Sequence, residues 1–255
     1  MRLTIASLLL LTILAACSRP SGPPGTPLRL NPAFGDLSPT DWGAGPAPQR
    51  YAIHGIDISR WQRGIDWNRA HEAGISFAFV KATEGGDMID PAFPGHWEGA
   101  GKAGIARGAY HFYYFCRSAE DQARWFIRNV PRDPDMLPPV LDMEWNPFSP
   151  TCTYRPPAET VQAEARKFIE IVSRHYGKRP IIYTTPDFYE QTGIGQVDAT
   201  FWLRAVAEHP REIYQGQDWA FWQYTGTGIV PGIPGGVDIN VFSGSPAEWS
   251  RFTTR

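Results

Sequence analysis

PPVLDMEW, residues 138–145, reads as a short buried strand that delivers acid at its far end. Two prolines open it, Val140 and Leu141 supply the apolar run, and Asp142, Met143 and Glu144 close it. Successive side chains of a strand point to opposite faces, so Asp142 and Glu144 share one face and Met143 takes the other. At about 3.3 Å per residue their Cα atoms stand roughly 6.5 Å apart, and both carboxylates open on one space. A solvated strand end, or acids tied up by backbone amides, would read the same over eight residues. The surrounding chain has to separate these readings.

Working outward, short apolar runs alternate with amphipathic stretches, the pattern of repeated βα units on a parallel sheet. YAIHGIDIS, SFAFVKAT, ARGAYHFYYF, PPVLDMEW and PIIYTT are the first five candidate strands. Helices are expected in IDWNRAHEAG and over 93–103, 119–130 and 157–176. In the last of these Val161, Ala165, Phe168, Ile169, Val172 and Tyr176 form one stripe, with prolines at the start and Gly177 after the end. TFWLRAV, WAFWQYTG and GVDINVF then read as three strands with little room for helices between them. Five βα units followed by three strands predict an α/β fold, an irregular TIM-like barrel whose strand C-termini surround one mouth. The open doubly wound sheet would need a GxGxxG or GxxxxGK[ST] loop after the first strand, and none is there.

A chain of 255 residues that is 42% hydrophobic suffices for one such domain. Its net charge of −2 offers no basic surface, so no nucleic-acid partner is expected. Ten tryptophans and ten tyrosines exceed what a core needs and hint at a sugar or peptide platform. Residues 1–16 read as a secretory signal, with Arg2 ahead of an apolar run too short to span a membrane comfortably. Leu14-Ala15-Ala16-Cys17 resembles the bacterial lipobox, which implies cleavage before Cys17, lipidation there and a membrane anchor. Ser18 in place of aspartate implies the outer membrane, facing the periplasm, in a Gram-negative host. The Pro- and Gly-rich span 17–50 has no period and reads as an extended linker. Cys116 and Cys152 have no CxxC spacing, so no zinc site is expected. One follows the third strand and the other lies in the loop after the fourth, so in an exported chain they are expected to form a disulfide.

In a closed barrel the first and last strands are neighbours, which brings Asp57 and Asp238 together opposite Asp142 and Glu144. Several like charges in one pocket are costly unless protonated, paired or used. Tyr110, Phe112, Tyr183, Trp202, Gln223 and Tyr224 fall at strand ends around them and are the candidate substrate contacts. GIDISRWQ, FAFVKATEGGDMIDPAF, WEGAGKAGIARGAYHFY, LPPVLDMEW and WQYTGTGIVPGIPGGVDINVF resemble, in order, the motifs of the glycoside hydrolase family 25 lysozymes. The resemblance implies that 51–255 is a catalytic domain with N-acetylmuramidase action on peptidoglycan. It implies Glu144 as general acid, Asp142 as its companion, and Asp57 and Asp238 as flanking acids. No cofactor is implied, and a monomer is expected. The sequence departs from the family pattern at His96, at Cys116 and in the extended loop NPFSPTC.

Two rival readings keep the same residues. One is a peptidoglycan-binding lipoprotein that no longer cleaves. The other is a metal-dependent hydrolase with His111 among the ligands. His111 alternates with Tyr110 and Phe112, so it is expected to face away from the acids.

Overall fold

The computed structural model describes residues 29–43 and 45–254. The chain opens with β1 (Gly35–Asp36), β2 (Ile53–Ile58), α1 (Trp67–Ala73), β3 (Ile75–Glu84), β4 (Met88–Ile89) and α2 (Phe93–Lys102). It continues through β5 (Ala106–Phe112), α3 (Ala119–Asn129), β6 (Val140–Met143), α4 (Ala158–Tyr176), β7 (Ile181–Thr184) and α5 (Pro186–Thr192). β8 (Thr200–Arg204), α6 (Pro210–Ile213), β9 (Phe221–Ile229), β10 (Val237–Phe242) and α7 (Pro246–Thr253) complete it.

Eight strands close a barrel in the order β2-β3-β5-β6-β7-β8-β9-β10, with β10 returning to β2. Neighbours from β2 round to β9 run parallel, and β10 is antiparallel to both β9 and β2. Five βα units precede the last three strands, as the pattern of apolar runs predicts. Little helix is expected between the last three strands, and only the four-residue α6 lies there, between β8 and β9; α5 fills PDFYEQT as the helix of the fifth βα unit, and α7 follows β10. All three are short, so none carries a readable period. Their punctuation is present, with Pro at the first turn of each, Gly193 after α5, and a Ser245/Glu248 capping box on α7.

Two apolar layers follow from strand alternation. Ile53, Phe77, Phe79, Val140, Ile181, Trp202, Phe221 and Phe242 fill the barrel interior, with Trp249 from α7 closing its lower end. Alternate residues such as Ile56, Val80, Leu141, Ile182 and Leu203 face outward and meet the helices. The whole predicted stripe of α4 is buried there, and Gly177, at φ 71°, ends that helix in the left-handed region where a side chain is strained. Gly55 on β2 serves the interior instead. A Cβ at that position would occupy the Phe77 ring, so Gly55→Ala would push one of the largest interior side chains off its site.

The reading of 17–50 as an extended linker is corrected over residues 31–50. β1 pairs antiparallel with β9, Asn31 donates its N–H to the Ala52 carbonyl at 3.0 Å, and Leu37 donates to Thr227 at 2.9 Å. Phe34 and Trp42 pack against the outer core. A strap that alternates proline, glycine and single aromatics docks through isolated side chains, which no helical or strand period reveals. Residues 1–28, including the signal and Cys17, lie outside the described residues.

Candidate active site

The strand ends at the barrel mouth bring the four predicted acids into one cavity of about 300 Å³, lined by Asp57, Asp142, Glu144 and Asp238. Asp57 and Asp238 are direct cross-strand partners where β2 meets β10. Asp142 sits on β6 level with Phe112 and Tyr183, while Glu144 stands just past the strand end. Asp57, Asp142 and Asp238 point inward because each shares a strand face with an interior residue, Ile53, Val140 and Phe242 respectively.

The acids differ in how they are held. Asp57 Oδ2 accepts from Gln223 Nε2 at 2.9 Å and from Asn240 Nδ2 at 2.8 Å. Both amides are oriented in turn, since Tyr183 Oη donates to Gln223 Oε1 at 2.9 Å and Trp202 Nε1 donates to Asn240 Oδ1 at 2.8 Å. This chain favours the ionised form of Asp57, against burial that pushes it up to about 6. Asp142 has the opposite surroundings. Its Oδ1 is buried without a hydrogen-bond partner among the described residues, and burial, then the charge of Glu144, raises its proton affinity. Burial likewise pushes Glu144 up to about 7, and burial followed by the charge of Asp57 pushes Asp238 up to about 8. The group as a whole therefore shares protons near neutral pH.

Two cations temper the acids. Arg204, at the end of β8, lowers the proton affinity of Asp57, Glu144 and Asp238. Lys81 on β3 does the same for Asp142 and Glu144, while bonded to Glu84 at 2.6 Å and held 4.7 Å from the Phe112 ring centre. Tyr114 Oη donates to the other oxygen of Glu84, and Asn146 Nδ2 donates to Tyr114 Oη at 3.2 Å. Neither Arg204 nor Lys81 was among the residues expected in the site. A signal for both was present, because each follows an inward aromatic, Trp202 or Phe79, by two residues on the same strand. Trp61, which is 74% exposed at the rim, was missed as well.

Tyr110, Phe112, Tyr183, Trp202 and Gln223 line the cavity as expected. Tyr224 does not, and its place in the site is corrected. Gln223 points inward, so its neighbour Tyr224 must point outward, where its hydroxyl meets His54 Nδ1 at 3.2 Å. His111 also faces the outer layer. Its Nε2 meets Gln122 Oε1 at 3.1 Å, its Nδ1 meets Thr83 Oγ1 at 2.8 Å, and its ring stacks on Phe168. It is a satisfied core histidine with no access to the acids. The departure at His96 is also absorbed structurally, with Nε2 3.3 Å from the Ser59 carbonyl. Cys116 and Cys152 form the expected disulfide, with Cα atoms 5.8 Å apart, and pin the loop that follows Glu144.

Comparison with known proteins agrees with this arrangement. Residues 56–233 match the family model described as Glycosyl hydrolases family 25. The chain is 34% identical to Lysozyme M1 of Streptomyces globisporus, over 96% of this chain and 90% of that protein. It is 38% identical to YegX of Escherichia coli strain K12, over 80% of this chain and 75% of YegX. Among solved structures, a family 25 glycosyl hydrolase from Bacillus anthracis superposes with a TM-score of 0.72 at 35% identity, covering 81% of this chain and 95% of that one. With a barrel mouth holding four acids, a family match over most of the barrel and relatives of this closeness, the chain belongs to glycosyl hydrolases family 25 and is a glycoside hydrolase.

Proposed function

We propose that the protein is a peptidoglycan N-acetylmuramidase that hydrolyses the β-1,4 bond between N-acetylmuramic acid and N-acetylglucosamine. The similarity to Lysozyme M1 supports the substrate class. Glu144 is the general acid: a carboxyl that keeps its proton up to about pH 7 can donate it to the leaving glycosidic oxygen. Asp57 and Asp238 set how protons are shared around it, and Arg204 and Lys81 keep the group from becoming wholly neutral.

The observation that carries the mechanistic part is the buried, unpartnered Oδ1 of Asp142. An acceptor kept dry is costly unless a ligand satisfies it. The 2-acetamido N–H of the substrate is a donor of the right kind. Held by Asp142, the acetamido carbonyl oxygen attacks the anomeric carbon as the glycosidic C–O bond breaks, and Glu144 passes its proton to the departing oxygen. Water then opens the cyclic intermediate, returning its proton to Glu144. This is the substrate-assisted exception to the scheme in which a protein carboxylate forms the covalent bond.

Digestion of purified peptidoglycan, with mass and reducing-end analysis of the fragments, tests the reading. Muramic acid at the new reducing ends supports it, and intact glycan that remains bound would favour a non-cleaving binder. Glycan stripped of the acetyl group on muramic acid should bind yet resist cleavage, whereas equal cleavage of both forms would reject the assisted route alone.

We further propose export and lipid attachment at Cys17. With residues 31–50 docked on the barrel, only residues 17–30 separate that cysteine from the folded domain. At about 3.1 Å per residue in extended polyproline geometry they span at most roughly 43 Å. The anchor would hold the enzyme close to its membrane.

A further inference from the structure

A second cavity, of about 390 Å³, lies at the other end of the barrel and is lined by Tyr51, His209, Arg211, Asp218, Trp219 and their neighbours. Tyr51 precedes β2 and Ser243 follows β10, so these positions are opposite to the strand ends carrying Asp57 and Asp238, and Trp219 precedes β9 on the same side. No step of the reaction uses them.

The polar groups there are set up to meet a ligand. The backbone N–H of Arg211 donates to His209 Nδ1 at 3.1 Å, so the neutral ring carries its proton on Nε2. That proton is donated to Tyr51 Oη at 2.9 Å. The hydroxyl hydrogen of Tyr51 is thereby left for a different acceptor. Burial, followed by the charge of Arg211, lowers the proton affinity of His209 and keeps the ring neutral. Trp219 is half-buried, tilted against Tyr51 at a ring separation of 5.7 Å and set edge-on to His209 and Trp222 at 5.9 and 6.1 Å. Arg211 and Asp218 are exposed at the same cavity, and neither makes a salt bridge among the described residues.

One cation and one anion at the cavity disfavour a simple ion of either sign, since each would meet a like charge. A fixed aromatic ring beside a hydroxyl donor, a guanidinium and a carboxylate instead suits a neutral ligand with apolar C–H faces and many hydroxyl and amide groups. We infer that this cavity is a second glycan-binding site, which takes N-acetylhexosamine units of a wall strand other than the one in the catalytic mouth. The identity of the strand rests on the peptidoglycan reading proposed above.

The test is co-sedimentation of the full chain with purified peptidoglycan sacculi, in a Glu144→Gln background so that the sacculi persist. Adding Trp219→Ala should raise the apparent Kd about fivefold, and adding Tyr51→Phe, which keeps the ring, about two- to threefold. In the Glu144 background, turnover of a short soluble glycan fragment by the same two variants should stay within about twofold of the parent. Unchanged sacculus binding by both variants would overturn the inference. So would equal losses on the soluble fragment and on sacculi, because the cluster would then act through the fold. If the parent chain releases no muramic reducing ends while the variants still lose sacculus binding, the muramidase reading fails and the second site stands.

Discussion

Replacing Arg204 by methionine keeps the length of the side chain and removes a positive charge that bears on three of the four acids. Opposite charges about 6 Å apart at an effective dielectric near 20 interact by about 2.8 kcal/mol, which corresponds to about two pKa units. Arg204 is partly exposed, so water screening roughly halves that figure. Burial already pushes Glu144 up to about 7, and without Arg204 its proton should be held about one unit further up. A general acid works only while protonated, so the alkaline limb of kcat/KM, which reports the free enzyme, should move to higher pH by that amount. The assay is the pH profile on soluble peptidoglycan fragments from pH 5 to 9. The position of the limb carries the test, because the height also reflects any contact of Arg204 with substrate. A limb that stays in place or moves to lower pH would refute the assignment of Glu144 or the electrostatic coupling to Arg204.

Glu144→Gln should retain glycan binding and lose about 10² to 10⁴ in turnover, and near-normal turnover would reject Glu144 as the acid. Asp238 holds its proton up to about 8 in the folded chain and to about 3.9 when unfolded. The stability this proton contributes is complete below about pH 4 and is lost as pH rises towards 8. Thermal unfolding of Asp238→Asn should therefore show a flatter decline over that window, and equal slopes would count against the burial of that carboxyl. The disulfide closes a span with a sequence separation of 36, so removing both cysteines should cost about 4 kcal/mol by the chain-entropy argument. Denaturant midpoints measure it, and a loss under about 1 kcal/mol would mean that the loop is ordered without the bridge. Cys17→Ala should keep catalysis and leave the membrane fraction, and retention in the membrane pellet would reject the lipid anchor.

Much of the barrel was legible because its periods are strong. The α4 stripe specifies one buried face, and the short apolar runs of SFAFVKAT and PPVLDMEW suit strands buried on both. The convergence of Asp57 with Asp238 followed from closure alone. Misreadings arose where local signals are short or where a rule was not carried through. Gln223 and Tyr224 were both assigned to the mouth although neighbours on a strand cannot share a face. Lys81 and Arg204 were overlooked although Phe79 and Trp202 fix their direction. The strap over 31–50 was unreadable for a physical reason: its contacts are single side chains and a two-residue strand, whose partner on β9 lies far along the chain.

The last strand to be made, β10, inserts antiparallel between β9 and the first barrel strand, β2. No portion lacking β10 can close the barrel, place Asp238 beside Asp57 or bring Asn240 to the Asp57 carboxylate. Contacts of such long sequence separation form late and slowly. A chain in which β10 has not yet docked therefore holds Asp57, Asp142 and Glu144 on an open sheet, without Asp238 and without the Asn240 amide that favours the ionised form of Asp57. Assembly of the proton-sharing cluster is thus tied to the docking of β10, the step that closes the barrel.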